Sequence, residues 1–223
     1  MAEYGMVIDL GRCIGCHACS VACKAEFDVP LGVWRSWVKY LVKGEYPNVK
    51  KHFLPRLCNH CDDPPCVKVC PVQATYKDKD GLVLQRYERC IGCKYCMMAC
   101  PYDARFILPR KSNVSPYKHV IDKCTFCNHR VKNGQLPACV VTCQGGARIF
   151  GDLSDPDSEI SKLLGTKPTM VLKPEQGTSP HVFYILPEQS IMGGRTKGYN
   201  VYAPEVPEGQ YSSTAKDRKE GGN

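Results

Sequence analysis

The segment RCIGCHACSVACK at residues 12–24 determines how the rest of the sequence is interpreted, and it returns as RCIGCKYCMMACP at residues 89–101. Each copy carries four cysteines in the spacing C-x2-C-x2-C-x3-C. Two more quartets, at 58–70 and 124–143, keep the final C-x3-C but have four and eleven residues in the middle gap. The 16 cysteines therefore form four complete groups: group one is Cys13, Cys16, Cys19 and Cys23; group two is Cys58, Cys61, Cys66 and Cys70; group three is Cys90, Cys93, Cys96 and Cys100; group four is Cys124, Cys127, Cys139 and Cys143.

The spacing within these groups is suited to iron–sulfur chemistry. In groups one and three, three cysteines fall within seven residues, so that one tight loop can wrap a compact cluster. The fourth cysteine of each run is the residue that binds the neighbouring cluster in two-cluster ferredoxins. Four complete groups predict four 4Fe–4S clusters as cofactors, with all sixteen cysteines as iron ligands.

Zinc and disulfides are the two alternatives. Zinc sites usually draw two C-x2-C pairs from separate hairpins, and the third cysteine of groups one and three is surplus to that pattern. Disulfides form in oxidising compartments. Residues 1–10 contain neither a basic region nor a long apolar run, so we expect no export signal of the chain's own. Both alternatives are therefore less favoured than iron.

The composition of the 223-residue chain is that of a folded protein, with 43% apolar and 23% charged residues. No apolar run approaches the roughly 18 residues of a membrane-spanning helix. The formal charge is +8. Four oxidised clusters with their thiolates bring roughly −8, which balances this excess. We therefore expect no nucleic-acid partner, and a zinc-rich nucleic-acid binder is the weakest interpretation.

The sequence contains a duplication that indicates how the groups pair. Groups two and three each end in Cys-Pro, at Cys70–Pro71 and Cys100–Pro101, as the ferredoxin run does. Groups one and four lack this proline. The difference predicts an inner pair, groups two and three, inserted between the halves of an outer pair, groups one and four.

The predicted fold class is α+β, with two ferredoxin-like modules of two 4Fe–4S clusters each, one inserted in the other. The outer module comprises residues 1–50 and 110–186, the inner module residues 51–109, and a polar tail residues 187–223. Short elements and much loop are expected. The predicted helices are 18–27 and 158–164, and the predicted strands are 4–10, 34–43, 74–77, 82–85, 105–108, 149–150, 169–172 and 181–186.

Exchange of the fourth cysteine within each pair predicts four ligand sets, which we name sites 1 to 4. The sets are site 1, Cys13, Cys16, Cys19 and Cys143; site 2, Cys23, Cys124, Cys127 and Cys139; site 3, Cys70, Cys90, Cys93 and Cys96; site 4, Cys58, Cys61, Cys66 and Cys100.

Few other residues suggest chemistry. Histidine can bind iron, but each group is complete without one, so surface or supporting roles are expected for the histidines beside cysteines, His17, His60 and His129. Lysines near thiolates are either solvated or able to tune cluster potentials: Lys68, Lys94 and Lys123. No nucleophile–base pair is visible, and we predict no catalytic residue.

The cysteine groups and their surroundings resemble the four-cluster electron-transfer subunits of the molybdopterin oxidoreductase (dimethyl sulfoxide reductase) family, most closely the polysulfide/thiosulfate reductase type. Arsenate, tetrathionate and dimethyl sulfoxide reductases are also similar. The likeness covers residues 4 to 186. The shared phrases are CNHCDDPPCVKVCP (58–71), KDKDGLV (77–83), ACPYDAR (99–105), KCTFCNHR (123–130), PACVVTC (137–143), FGDLSDP (150–156) and PEQGTSPHVFY (174–184), with the opening segment 12–24.

The resemblance implies a complex with a molybdopterin catalytic subunit and a quinol-binding membrane anchor subunit. In it, the chain would carry electrons one at a time and perform no bond chemistry. Site 1 would lie nearest the catalytic subunit and site 4 nearest the anchor. The location would be membrane-associated, on the periplasmic face by co-export with the catalytic subunit or on the cytoplasmic face. The alternative is a free polyferredoxin, or an electron module of a hydrogenase- or formate-dehydrogenase-like complex.

Overall fold

A computed structural model describes residues 2–113 and 115–187. Short strands and helices alternate with loops. In chain order the elements are β1 (Tyr4–Asp9), α1 (Ala18–Phe27), β2 (Ser36–Lys43), β3 (Lys50–Leu57), α2 (Pro65–Lys68), β4 (Thr75–Lys77), β5 (Val83–Gln85), α3 (Tyr95–Met98), β6 (Arg105–Ile107), β7 (Ile121–Lys123), α4 (Asn128–Val131), α5 (Ala138–Val141), β8 (Arg148–Asp152), α6 (Glu159–Thr166), β9 (Thr169–Met170) and β10 (Val182–Ile185).

A four-stranded mixed sheet in the order β8-β1-β10-β9 joins the two ends of the described residues. β1 runs parallel to β10 and antiparallel to β8. Its residues Met6, Val7 and Ile8 are fully buried, because an inner strand covered on both faces excludes water from successive side chains. The N-terminal strand is thereby fixed to the segments that follow group four.

Three two-stranded hairpins complete the strand content of the described residues: β2–β3, β4–β5 and β6–β7. The β4–β5 turn was predicted from Asp80–Gly81, and Gly81 does adopt a positive φ of 77°. The carboxylate of Asp78 accepts hydrogen bonds from the N–H groups of Asp80 and Leu82 and holds the turn. This hairpin leads directly from group two to group three.

Strands β3 and β7 were not predicted. β3 begins with Lys50, Lys51 and His52 and includes Pro55, a composition that does not favour a strand. It forms because it pairs along its full length with β2, whose Trp37 is buried in the core. Tertiary pairing therefore overrides the local preference of this segment.

Helix α1 has the predicted bounds, and it buries both Cys19 and Cys23 on one face. The one-turn helices α2, α3 and α5 each bury the third cysteine of a group: Cys66, Cys96 and Cys139. α6 begins at its cap, Ser158, whose hydroxyl accepts from the N–H of Ser161. Helices α1, α2, α3 and α5 thus position thiols.

The fold is small, mixed α and β, with short elements, as expected for ferredoxin-like 4Fe–4S domains. No helix within residues 2–113 and 115–187 has the length and apolar character needed to span a membrane. The predicted polar tail lies outside the described residues, apart from Pro187.

Candidate metal centres

All sixteen cysteines lie in the described residues, and all are free thiols rather than disulfides. Their C-x2-C loops share one backbone feature. The residue immediately before the second cysteine has a positive φ in every loop: Gly15 (71°), His60 (43°), Gly92 (70°) and Phe126 (51°). Left-handed residues in such turns direct successive N–H groups into a concavity that binds anions, including iron–sulfur clusters. The local backbone is therefore shaped around an anionic group.

Cysteines from the two ends of the cysteine-bearing region meet at site 1. Cys13, Cys16, Cys19 and Cys143 line one cavity. Burial raises the pKa of the Cys13 thiol, the Gly15 N–H lowers it, and the Cys19 and Cys143 thiolates raise it further. Thiols that resist ionisation without a partner are stabilised as thiolates when a metal binds.

A second cavity corresponds to site 4. Its lining includes Cys58, Cys61, Cys66 and Cys100, drawn from groups two and three. Burial raises the pKa of the Cys61 thiol to about 12, and the other three thiolates contribute to the rise. Four sulfur donors thus converge here from two separate groups.

The two remaining sites are defined by neighbouring thiols. Burial raises the pKa of Cys23 well above its ordinary value, and its thiol neighbours are those of Cys124, Cys139 and Cys127. These are the four residues of predicted site 2, and all four are buried.

Site 3 is the more open of these two. Burial raises the pKa of Cys96, which has the thiols of Cys66, Cys90 and Cys70 as neighbours. Cys93 lies in the loop between Cys90 and Cys96 and is partly exposed, as are Cys70 and Cys90.

Three contacts between sites favour an order along the molecule that differs from the expected one. Cys139 of site 2 neighbours Cys19 of site 1. Cys124 of site 2 neighbours Cys58 of site 4. Cys96 of site 3 neighbours Cys66 of site 4. These neighbours favour the order 1, 2, 4, 3 along the molecule, in which site 3 rather than site 4 lies at the end.

Donors surround the sulfur atoms, as an anionic cluster requires. The N–H of Ala74 donates a hydrogen bond to Sγ of Cys70 (3.2 Å), and the N–H of Ala147 donates one to Sγ of Cys143 (3.2 Å). The N–H of Ile121 donates to Sγ of Cys90 (3.4 Å). Hydrogen bonds to sulfur are a recognised means of setting the potential of iron–sulfur clusters. The donor set and the shape of the loops fit 4Fe–4S binding.

Two buried arginines contact cysteine sulfur and were missed by the sequence analysis. Nη2 of Arg105 lies 3.0 Å from Sγ of Cys66, and Nη1 of Arg148 lies 3.6 Å from Sγ of Cys139. Each arginine follows an alanine and stands five residues after the last cysteine of its group. This repeated Ala-Arg pair is the sequence feature from which the two arginines could have been identified.

The three histidines beside cysteines have the supporting or surface roles that were expected. His17 contacts the Tyr40 hydroxyl, and His129 pairs with the Glu26 carboxylate at 2.7 Å. The buried His60 accepts a hydrogen bond at Nδ1 from the Val83 N–H, so its Nε2–H donates to the Cys124 carbonyl at 3.1 Å. Each of these contacts fixes a histidine ring to another segment beside a cysteine loop.

The predicted lysines differ from one another. Lys68 is exposed and pairs with Asp63, which agrees with the expectation of a solvated lysine. Lys94 is exposed. Lys123 is fully buried, and its Nζ donates to the carbonyl oxygens of Val83 and of Cys124, the latter at 2.8 Å. Only Lys123 among the three is placed deep among the cysteine loops.

Comparison with known proteins identifies the family. A 4Fe–4S dicluster domain model matches residues 49–153, and a 4Fe–4S binding domain model matches residues 4–25. The B subunit of tetrathionate reductase from Salmonella typhimurium is 54% identical over 187 residues, which cover 82% of this chain and 72% of the relative. The protein belongs to the family of iron–sulfur B subunits that includes this tetrathionate reductase subunit.

Two other members of the family are matched over nearly their whole length. The arsenate respiratory reductase iron–sulfur subunit of a Shewanella species is 42% identical, over 82% of this chain and 96% of the relative. The B component of polysulfide reductase from Wolinella succinogenes is 41% identical, over 82% and 94%. The protein is therefore an iron–sulfur electron-transfer subunit that binds 4Fe–4S clusters.

Proposed function

We propose that this chain relays electrons through four 4Fe–4S clusters between a quinol-handling membrane anchor and a molybdopterin catalytic subunit. The observation that carries the proposal is the convergence of cysteines from distant groups, as at Cys13 and Cys143, which line one cavity. The clusters, once bound, supply one-electron chemistry. The protein holds them in fixed positions and excludes water from the inner ones.

The ligand sets of sites 1 to 4 are part of this proposal. The two cavities and the thiol neighbours of Cys23 and Cys96 support them. The nested modules, 1–50 with 110–186 around 51–109, are also proposed. They are supported by the pairing of β1 with β8 and β10, because that sheet joins the two segments of the outer module.

We place site 1 toward the catalytic subunit and site 3 toward the anchor. Accessibility supports sites 1 and 3 as the ends of the row: Cys16 of site 1 is exposed, and three cysteines of site 3 are partly exposed. Exposed apolar side chains accompany each end, Ile14 beside site 1 and Ile91 and Met98 beside site 3. Apolar surface that flanks a site often marks a protein interface.

The complex would be membrane-associated, with this chain on the periplasmic face if it is exported with its catalytic partner. Protease added to closed and to lysed spheroplasts distinguishes this face from the cytoplasmic one. Digestion in closed spheroplasts is expected for the periplasmic face, whereas protection until the spheroplasts are lysed would place the chain on the cytoplasmic side.

Anaerobic purification of the native complex through a tag on this chain tests the function. We expect a large partner that contains molybdenum or tungsten, a membrane protein, and quinol-dependent reduction of one acceptor among polysulfide or thiosulfate, tetrathionate, arsenate and dimethyl sulfoxide. Tetrathionate is tested first because of the 54% identity to a tetrathionate reductase subunit. Recovery of the chain alone, as a competent electron carrier, would instead support a free polyferredoxin.

A further inference from the structure

Of the four Lys and Arg side chains that are almost completely removed from water in the described residues, three contact a cysteine of the proposed sites. Arg148 is 3% exposed, Arg105 is 2% exposed and Lys123 is 0% exposed. Burying a charge costs free energy unless charged or hydrogen-bonding groups compensate it. The position of each side chain indicates what compensates it.

Arg148 lies between sites 1 and 2. It lines the cavity of site 1 together with Cys13 and Cys143, and its Nη1 is 3.6 Å from Sγ of Cys139 in site 2. Cys19 of site 1 lines the same cavity. Ligands of both sites thus lie beside the same positive charge.

Arg105 has the equivalent position between sites 4 and 3. It lines the cavity of site 4, and its Nη2 donates to Sγ of Cys66 at 3.0 Å. Cys66 belongs to the same buried cluster as Cys96 of site 3. An arginine therefore lies between the two members of each pair of sites.

Lys123 lies where the inner and outer pairs meet. Its Nζ donates to the carbonyl of Cys124, a ligand in site 2, and to the carbonyl of Val83, which lines the cavity of site 4. His60 and Phe126 stack on each other at this junction, with ring centroids 3.9 Å apart. The lysine charge is thereby held between sites 2 and 4.

The charge of the fourth buried cation is compensated by a carboxylate. Arg35 forms a two-point ion pair with the buried carboxylate of Asp122, at 2.8 and 2.6 Å. Its charge is therefore largely neutralised locally. The contacts of Arg148, by contrast, are with sulfur and with the Ser36 hydroxyl, and those of Lys123 are with carbonyl oxygens.

We propose that Arg148, Lys123 and Arg105 are positioning charges, one at each junction of the series 1, 2, 4, 3, and that each raises the reduction potentials of the two clusters beside it. This inference rests on the proposed cluster sites. Reduction adds one electron, and so one negative charge, to the group that the cysteines hold. A fixed positive charge in a poorly screened interior favours that change.

The test uses the native complex purified anaerobically, with Arg148→Gln, Arg105→Gln and Lys123→Met made singly. Iron content is measured first, and the four cluster potentials are then determined by redox titration followed by electron paramagnetic resonance. Arg110→Gln is the matched control, because Arg110 is exposed and pairs with Asp28 on the surface. Arg148→Lys retains the charge and should keep potentials close to those of the wild type.

The pattern of shifts identifies the sites without assigning any signal beforehand. Each arginine variant should lower two potentials by about 59 mV or more, which corresponds to a tenfold change in the equilibrium constant for one electron. The pair shifted by Arg148→Gln should not overlap the pair shifted by Arg105→Gln. Lys123→Met should shift one member of each pair, and Arg110→Gln should shift none.

Unchanged potentials in iron-replete variants would overturn the inference and leave the proposed function intact. Loss of clusters from the glutamine and methionine variants would also overturn it, because the cations would then serve assembly. Overlapping pairs would contradict the assignment of one cation to each junction. If the wild-type chain holds no 4Fe–4S clusters, the proposed function itself fails, and the iron analysis of the wild type reveals this separately.

Discussion

The rings of His60 and Phe126 stack with centroids 3.9 Å apart and an interplanar angle of 19°. The two residues have the same position in different loops, directly before the second cysteine of groups two and four. Both adopt a left-handed backbone conformation. Equivalent loops of the duplicated sequence therefore meet face to face, and this contact joins the inner pair of sites to the outer pair.

Ligand exchange within the outer pair predicts that Cys143→Ser and Cys13→Ser perturb the same cluster. Both side chains line the cavity of site 1, although they stand at opposite ends of the cysteine-bearing region. Electron paramagnetic resonance of the two reduced variants should show loss or conversion of one common signal. Cys93→Ser, in site 3, should affect a different signal. Loss of different clusters in the Cys143 and Cys13 variants would show that the exchange scheme is wrong.

Asp122→Asn should strongly destabilise the protein. The carboxylate contacts Arg35 at 2.6 Å and accepts from the Tyr87 hydroxyl at 2.7 Å, and the Arg35 and Asp122 side chains are fully buried. Removing one partner leaves a buried uncompensated charge, a change that costs about 3–5 kcal/mol. The measurement is the free energy of unfolding in denaturant under anaerobic conditions.

The control for that change is Asp28→Asn. Asp28 also pairs with an arginine, Arg110 at 2.9 Å, but this pair lies on the surface. Exposed ion pairs contribute little because water and salt screen them. Equal destabilisation by the two substitutions would contradict the role assigned to burial.

Gly15→Ala should impair cluster loading at site 1. Gly15 has φ of 71°, and an added Cβ would collide with the ring of Phe53. A left-handed alanine is strained in addition. Iron content of the anaerobically purified chain should fall by about one cluster of four iron atoms. Gly165→Ala is the control, because a Cβ there meets nothing within 4 Å and alanine favours the helix. Full iron content in Gly15→Ala would contradict the prediction.

Mild acid should weaken the fold through His181. Burial lowers the pKa of this imidazole from its ordinary 6.5, and the nearby carboxylates of Glu3 and Asp62 only partly offset the effect, with Lys77 opposing them. Below pH 6.5 the unfolded chain takes up a proton that the folded chain does not, so stability falls as the pH falls. Above pH 6.5 this contribution is fully present.

The measurement is the thermal midpoint of the iron-loaded protein between pH 8 and pH 5. His181→Gln should show a shallower decline than the wild type over the acidic half of this range. The exposed His119 provides a control, because His119→Asn should leave the decline unchanged. A wild-type decline that persists unaltered in His181→Gln would argue against this origin.

Features with a short-range cause were predictable from the sequence. Helix α1 has the predicted bounds, and the Asp-Gly turn after β4 forms where expected. The C-x2-C loops follow from spacing alone, because they depend on residues only a few positions apart. Family and cofactor were therefore accessible before any coordinates.

Features that depend on distant contacts were not predictable. Strand β3 was missed because Lys50, Lys51 and Pro55 disfavour a strand until β2 provides a partner. The order of the sites could not be read from spacing, because it rests on neighbours such as Cys124 and Cys58. The burial of Arg148 likewise depends on packing against segments from the other end of the chain.

The most direct test of the account is an anaerobic reductive titration of the native complex, combined with iron and sulfide analysis of this chain. Four clusters predict about 16 iron atoms per chain and uptake of four electrons by this chain, one at each of sites 1 to 4. The proposed relay would be contradicted by intact protein that contains zinc. It would also be contradicted by intact protein that holds fewer than four clusters and accepts fewer than four electrons.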